Sequence, residues 1–271
     1  MIDRPCHSMF QNPFEYGKQY VKRLAWVLSL VTMCVILAAA QQSSGTTARA
    51  GFTQNVPNAA RGMYDRATAM SKAGKGALAL VLFEEALKVY PDYFDARLAL
   101  GNELFKAGRL TEAMTEFEKA RRINPRDDQV YLSVGLVMMQ QKRYNVAASV
   151  FADASLLNPS EPLHRLMRGI ALIRQAATLT SSSSATVRDA LYRSAEEALT
   201  QAFDLSGHRL PEVYLYRALI FEKRGERARS ADELEQYLQA NSGAENTDAI
   251  RQAIRKLRDP AATSQAVPAP L

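Results

Sequence analysis

The sequence predicts an all-α protein, a stack of about five helix-turn-helix units closed by a C-terminal capping helix. Two observations carry this. Five residue columns recur every 34 positions, and inside each period apolar residues fall three and four apart. The columns are Ala79, Ala113, Ala147; Phe83, Phe117, Phe151; Ala86, Ala120, Ala154; Pro91, Pro125, Pro159; and Gly101, Gly135, Gly169. A fixed period of this length marks one supersecondary unit repeated along the chain. Steps of three and four put residues on one helix face. One helical hairpin cannot bury both of its faces, so the units must stack. An apolar content of 47% and a charged content of 23% suit a folded chain of this kind.

Within the unit around Gly101, Leu100, Gly101 and Leu104 form one stripe, and Ala113, Phe117 and Ala120 form a second. Gly108 separates them, because the left-handed backbone that ends a helix costs glycine nothing. Gly74 does the same one period earlier. Gly74-Lys75-Gly76 therefore reads as a turn, since the rest of a phosphate-binding loop is missing. Lys142 occupies the turn position of the next unit and is expected at positive φ, at a cost of about 1 kcal/mol. Each second helix ends ahead of a proline, which restricts the residue before it and is expected to open the next helix. Gly101 and Gly135 are expected to face Ala113 and Ala147 across the hairpin.

The fourth unit is split. From Gly169 to Ala195 is 26 residues, where Gly101 to Ala113 is 12, so 14 are inserted. Ser181, Ser182, Ser183 and Ser184 mark the insert, about 178–187, as a flexible polar loop. Ala195, Leu199, Ala202 and Leu205 restore the second helix. Tyr214, Ala218, Phe221, Gly225, Leu234 and Tyr237 outline a weaker fifth unit. Ile250, Ile254 and Leu257 share one face of a last helix, which caps the stack. The stack thus covers 58–258, with a flexible linker at 41–57 and a disordered tail at 259–271.

Lys18, Lys22 and Arg23 precede 17 uncharged residues, 24–40, that end in Ala38-Ala39-Ala40. Residues 1–23 read as a cytoplasmic n-region and 24–40 as a signal-peptide core with an A-x-A cleavage site. The basic flank stays inside, so the remainder is exported. The same length reaches the short end of a spanning helix, which makes an uncleaved anchor the alternative. Cys6 and Cys34 both lie in this region, so the chain beyond it has no disulfide and no cysteine metal site.

Little in the exported part points to chemistry. His164 and His208 have no carboxylate or second histidine at ligand spacing, and both read as surface residues. Glu84-Glu85, Glu196-Glu197 and Glu233 with Glu235 fall on second helices and read as solvated faces. There is no nucleophile–base pair, so no catalytic residue, metal or cofactor is assigned and the chain reads as a non-enzyme. The net charge is +6, of which +2 lies in the first 40 residues. That mild excess predicts no nucleic-acid partner. Arg251, Arg255 and Arg258 form a basic stripe on the last helix, read as solvated.

Gly101, Ala113, Phe117, Ala120 and Pro125, with their equivalents one period away, resemble the tetratricopeptide repeat family. Its period is 34, and its pattern includes the small residue, the A-x3-F step and the closing proline. The resemblance covers about 60–237. It implies a right-handed α-solenoid that binds proteins, with its first helices lining a concave groove. Carried over position by position, the groove residues are Tyr64 and Thr68; Leu98, Asn102 and Phe105; Leu132, Leu136 and Met139; Leu166, Ile170 and Ile173; Leu215 and Leu219. Some relatives clamp a terminal carboxylate at such positions, and only Asn102 matches that here. Apolar side chains dominate, so the expected occupant is an amphipathic or extended apolar segment of another protein. The alternatives are packing within the array or under the insert, or a homodimer. The expected role is a scaffold or adaptor in the periplasm or cell envelope of an exported bacterial-type protein. The alternative is an accessory or regulatory subunit docking onto an envelope enzyme.

Overall fold

The computed structural model describes residues 52–259 other than 242, 244 and 245. The expected signal or anchor at 24–40 and the tail from 260 onward lie outside the described residues. From Gln54 onward the chain clusters as one compact unit, and everything below concerns it.

Every regular element among the described residues is helical. The helices are α1 (Asn58–Lys72), α2 (Gly76–Val89), α3 (Phe94–Lys106), α4 (Leu110–Ile123), α5 (Asp128–Gln140), α6 (Tyr144–Leu157), α7 (Pro162–Thr178), α8 (Ala185–Leu205), α9 (Glu212–Lys223), α10 (Arg227–Ala240) and α11 (Thr247–Arg258). They pair as five hairpins, α1/α2 to α9/α10, and α11 packs on α10. Four of the five hairpin turns are closed the same way. Gly74, Gly108 and Gly225 have φ of 72°, 74° and 78°. Around Gly108, Arg109 N–H reaches Leu104 O at 2.9 Å and Gly108 N–H reaches Phe105 O at 2.9 Å, the paired bonds of a Schellman cap. Lys142 keeps this geometry with φ of 60°, as its register predicts.

The prolines do less than expected. Pro91, Pro125 and Pro159 sit in turns, and the next helices start three residues later at Phe94, Asp128 and Pro162. Side-chain caps start two of them instead: Asp127 accepts from Gln129 and Val130 N–H, and Glu161 accepts from Leu163 N–H.

The glycine column is fitted to the ring column. A Cβ on Gly101 would lie 2.4 Å from Phe117 Cε1, and one on Gly135 would lie 2.4 Å from Phe151 Cε1. Each glycine therefore makes room for the phenylalanine of its own hairpin. Phe117 and Phe151 are fully buried as a result. At Gly169, which pairs with Leu199 where the others have phenylalanine, the nearest atom is Leu199 Cγ at 2.8 Å.

The insert is mostly helix, which corrects the expected flexible loop. One period after the end of α5 at Gln140 is Arg174, but α7 continues four residues further to Thr178. Tyr192 holds the register of Tyr144, but α8 begins seven residues earlier at Ala185. The hairpin thus projects past its neighbours by about 6–10 Å, at 1.5 Å per residue. A 3-10 turn, Ser182–Ser184, closes it, and Arg188 donates to Leu179 O at 2.9 Å.

Both ends of the stack are covered. Residues 54–57, assigned by sequence to a flexible linker, are part of the fold. Val56 is buried among Ala60, Ala86, Tyr93 and Ala96. The Gln54 amide accepts from Phe94 N–H at 2.9 Å and donates to Asp92 O at 2.6 Å. It thereby caps α3, whose own N-cap Tyr93 offers no side-chain acceptor. At the other end, Ile250 and Ala253 of α11 are buried. Arg258, exposed as the solvated stripe predicts, also pairs with Asp232 at 2.8 Å and Glu235 at 3.0 Å on α10.

Candidate protein-binding groove

The first helices of the hairpins, α1, α3, α5, α7 and α9, form one layer. Side chains bridge them: Ser133 Oγ on α5 donates to Asn102 Oδ1 on α3 at 3.2 Å, and Ser71 on α1 donates to Glu103 on α3. The amide oxygen of Asn102, the one match to a carboxylate clamp, is thus engaged inside the array. The ring of Tyr64 lies 5.7 Å from that of Phe83 and 5.2 Å from that of Tyr93.

The expected groove residues separate into two sets. Tyr64, Thr68, Asn102, Phe105, Leu136, Met139 and Leu219 are half-buried. Leu98, Leu132, Leu166, Ile170, Ile173 and Leu215 are buried. The correction is largest on α7, where Leu166 is 1%, Ile170 3% and Ile173 6% exposed. The elongated α7 and α8 pack along their length, so side chains expected to line a trough are used within the array. What remains accessible is a strip of Phe105 on α3 with Leu136 and Met139 on α5, and Leu219 further along on α9. Phe105 and Met139 are one period apart, and Leu136 is one helical turn before Met139.

His164 is not a surface residue. It is fully buried, and its Nε2–H donates to Asp128 Oδ2 at 2.7 Å. Asn158 Nδ2 donates to the same oxygen at 3.3 Å. Partial burial pushes the Asp128 carboxyl up, but the interactions with His164, Asn158 and Gln129 outweigh it and hold it below its ordinary value. The pair joins α5 to α7. His164 follows Asp128 by 36 residues, so only the folded register brings them together. His208 is exposed, at φ of 63°, and stacks on Phe203 with ring centroids 4.6 Å apart.

Glu84 and Glu197 are exposed as expected, but Glu233 and Glu196 are tied into the array. Glu233 meets Arg217 at 2.9 Å across α9/α10, and Glu116 meets Arg97 at 2.8 Å across α3/α4. Burial raises the Glu233 carboxyl more than Arg217 lowers it. Glu196 holds both Arg224 and Arg229. These are ties between helices. Among the described residues, no three His, Cys, Asp or Glu side chains converge as metal ligands. An open cleft of about 450 Å³ runs between α2 and α4, floored by Leu87, Leu100 and Leu104, with Arg97 and Glu116 on its side.

Residues 59–136 match the tetratricopeptide repeat family. Among curated proteins, none matches the sequence. Solved structures share the fold. YrrB, described as a TPR protein with an unusual peptide-binding site, is 15% identical over 71% of this chain and 90% of its own, with a TM-score of 0.55. MamA from Desulfovibrio magneticus RS-1 is 15% identical over 70% of this chain and 99% of its own, at 0.59. PilW, described as a type IV pilus biogenesis factor, is 16% identical over 73% and 87%, at 0.60.

Proposed function

We propose that this tetratricopeptide repeat protein is a non-enzymatic scaffold or adaptor whose groove receives an amphipathic or extended apolar segment of a protein partner. The carrying observation is the strip of Phe105, Leu136 and Met139, which is only partly buried on the inner layer while its neighbours are buried. Apolar side chains left accessible in a row mark an interaction site. A helix or extended segment with anchors at alternate or helical spacing fits such a groove. The peptide-binding site of YrrB and the pilus role of PilW belong to those proteins, and they support a similar use of the fold here.

The site of action in this reading is the cell envelope, on the strength of the basic flank and uncharged stretch at 24–40. The chain is released if that stretch is cleaved and anchored if it is not. A second reading, an accessory subunit that docks onto an envelope enzyme, uses the same groove. Which partner is captured decides between the two.

The test is in-cell crosslinking with mass spectrometry on the wild type and on Leu136→Glu and Met139→Glu variants. Loss of the wild-type partner crosslinks from both variants supports the groove. Unchanged crosslinks, or crosslinks only to a second copy of the chain, would count against it.

A further inference from the structure

The turns that join the first and second helix of each hairpin all lie at one edge of the stack, and that edge is cationic. Four of the turns carry Lys72 and Lys75, Lys106 and Arg109, Lys142 and Arg143, and Lys223 and Arg224. Lys106, Arg109 and Arg224 are paired with carboxylates. Lys72, Lys75, Lys142, Arg143 and Lys223 are exposed, and among the described residues their side chains make no ion pair or hydrogen bond.

Several of these cations stand where local physics opposes them. Lys75, Arg109 and Arg143 occupy the N-caps of α2, α4 and α6, with no side-chain capping bond. That position favours a Ser, Thr, Asp or Asn acceptor and faces the positive end of the helix dipole. Lys142 holds a positive φ that glycine adopts freely in three other turns. Arg109 is offset by its ion pair with Glu112, but Lys75, Lys142 and Arg143 break local rules with no bonded partner among the described residues, which points to a use outside the fold.

The fifth turn is different. Residues 176–187 contain no charge across 12 positions. They form the tip of the α7/α8 arm, which projects beyond the cationic turns. Val187 at the tip is 55% exposed. Just behind the tip, Asp189 meets Arg224 of the α9/α10 turn at 3.1 Å. An acidic polypeptide or a nucleic acid would favour charge on the part that protrudes furthest. A small uncharged tip flanked by lysines and arginines suits the boundary between headgroups and acyl chains of an anionic bilayer.

We propose that this edge docks on an anionic lipid surface, with the turn cations on lipid phosphates and the arm tip in the headgroup layer. This does not depend on the groove, nor on residues 24–40. The test is co-sedimentation of the full chain with vesicles of phosphatidylcholine alone or mixed with phosphatidylglycerol. Three exposed cations are removed together by Lys75→Gln, Lys142→Asn and Arg143→Gln. Each cation near such a surface contributes roughly fivefold, so partition onto the phosphatidylglycerol vesicles should fall about a hundredfold. Partition onto phosphatidylcholine alone should not change. Val187→Asp should lower phosphatidylglycerol binding severalfold with unfolding unchanged, and Leu136→Glu should leave it intact. Equal partition of the triple variant and the wild type overturns the proposal. Retention of the wild type by poly-glutamate, without preference for phosphatidylglycerol, also overturns it and assigns the edge to an acidic polypeptide.

Discussion

The ring of Phe117 lies over the Cα of Gly101 so closely that a Cβ there would sit 2.4 Å from Phe117 Cε1. Phe117 is fully buried and closed in by the hairpin, so Gly101→Ala forces the ring or the two helices apart. Overpacking of this kind costs about 1–3 kcal/mol, and the better helix propensity of alanine returns at most about 1 kcal/mol. The net expectation is a lower urea midpoint. Gly62, in exposed α1, is the control, because nothing lies within 4 Å of its added Cβ. Gly62→Ala should raise stability by about 0.5–1 kcal/mol. A rise for both variants would refute the close approach at Gly101.

Lys142 pays for its place in the third turn with φ of 60°. Lys142→Gly should therefore stabilise the protein by about 1 kcal/mol, read from the thermal midpoint. The same change removes one edge cation, so greater stability and weaker anionic-vesicle binding are expected together.

Asp128 is held below its ordinary value in the folded protein. A carboxylate with a depressed folded pKa adds stability above its unfolded pKa, near 3.9. That stability disappears as pH falls through the folded value. Asp128→Asn should therefore destabilise the protein at pH 7, by about 1–3 kcal/mol. The gap from wild type should close as pH drops below about 4. Urea titrations at pH 7 and pH 3 check this, and a gap that is constant with pH would show that Asp128 does not act as a carboxylate.

The fold was legible because stacking imposes a period. A column at a step of 34 survives any surface change, and the αL geometry of Lys142 could be read from its register alone. Contacts between columns were not legible. That the Phe117 ring lies closest to Gly101 depends on how the two helices are rotated, which spacing does not specify. The Asp128–His164 pair and the Gln54 cap join residues 36 and 40 apart across unit boundaries, so neither forms a local motif. The insert misled because serine composition suggests a loop, while its flanks continue helical registers already set by Ile173 and Tyr192. The groove was half legible: sequence places residues on the inner layer, but only packing decides which of them stay accessible.

Leu136 and Ile170 show that last distinction most directly, since they stand at the same position of consecutive units and were assigned the same role. Ile170 is 3% exposed, so Ile170→Glu places a carboxylate in the packed interior of the array. An uncompensated buried charge costs about 3–5 kcal/mol, a large share of the stability of an ordinary domain. The variant is expected to lose its cooperative helical melting transition or to show one at far lower temperature. Leu136 is only partly buried, so a glutamate there can reach water and should shift stability by about 0.5 kcal/mol or less. Circular dichroism melts of the two variants check this. Equal destabilisation would mean that Leu136 belongs to the core, and the groove would then lose the middle of its apolar strip.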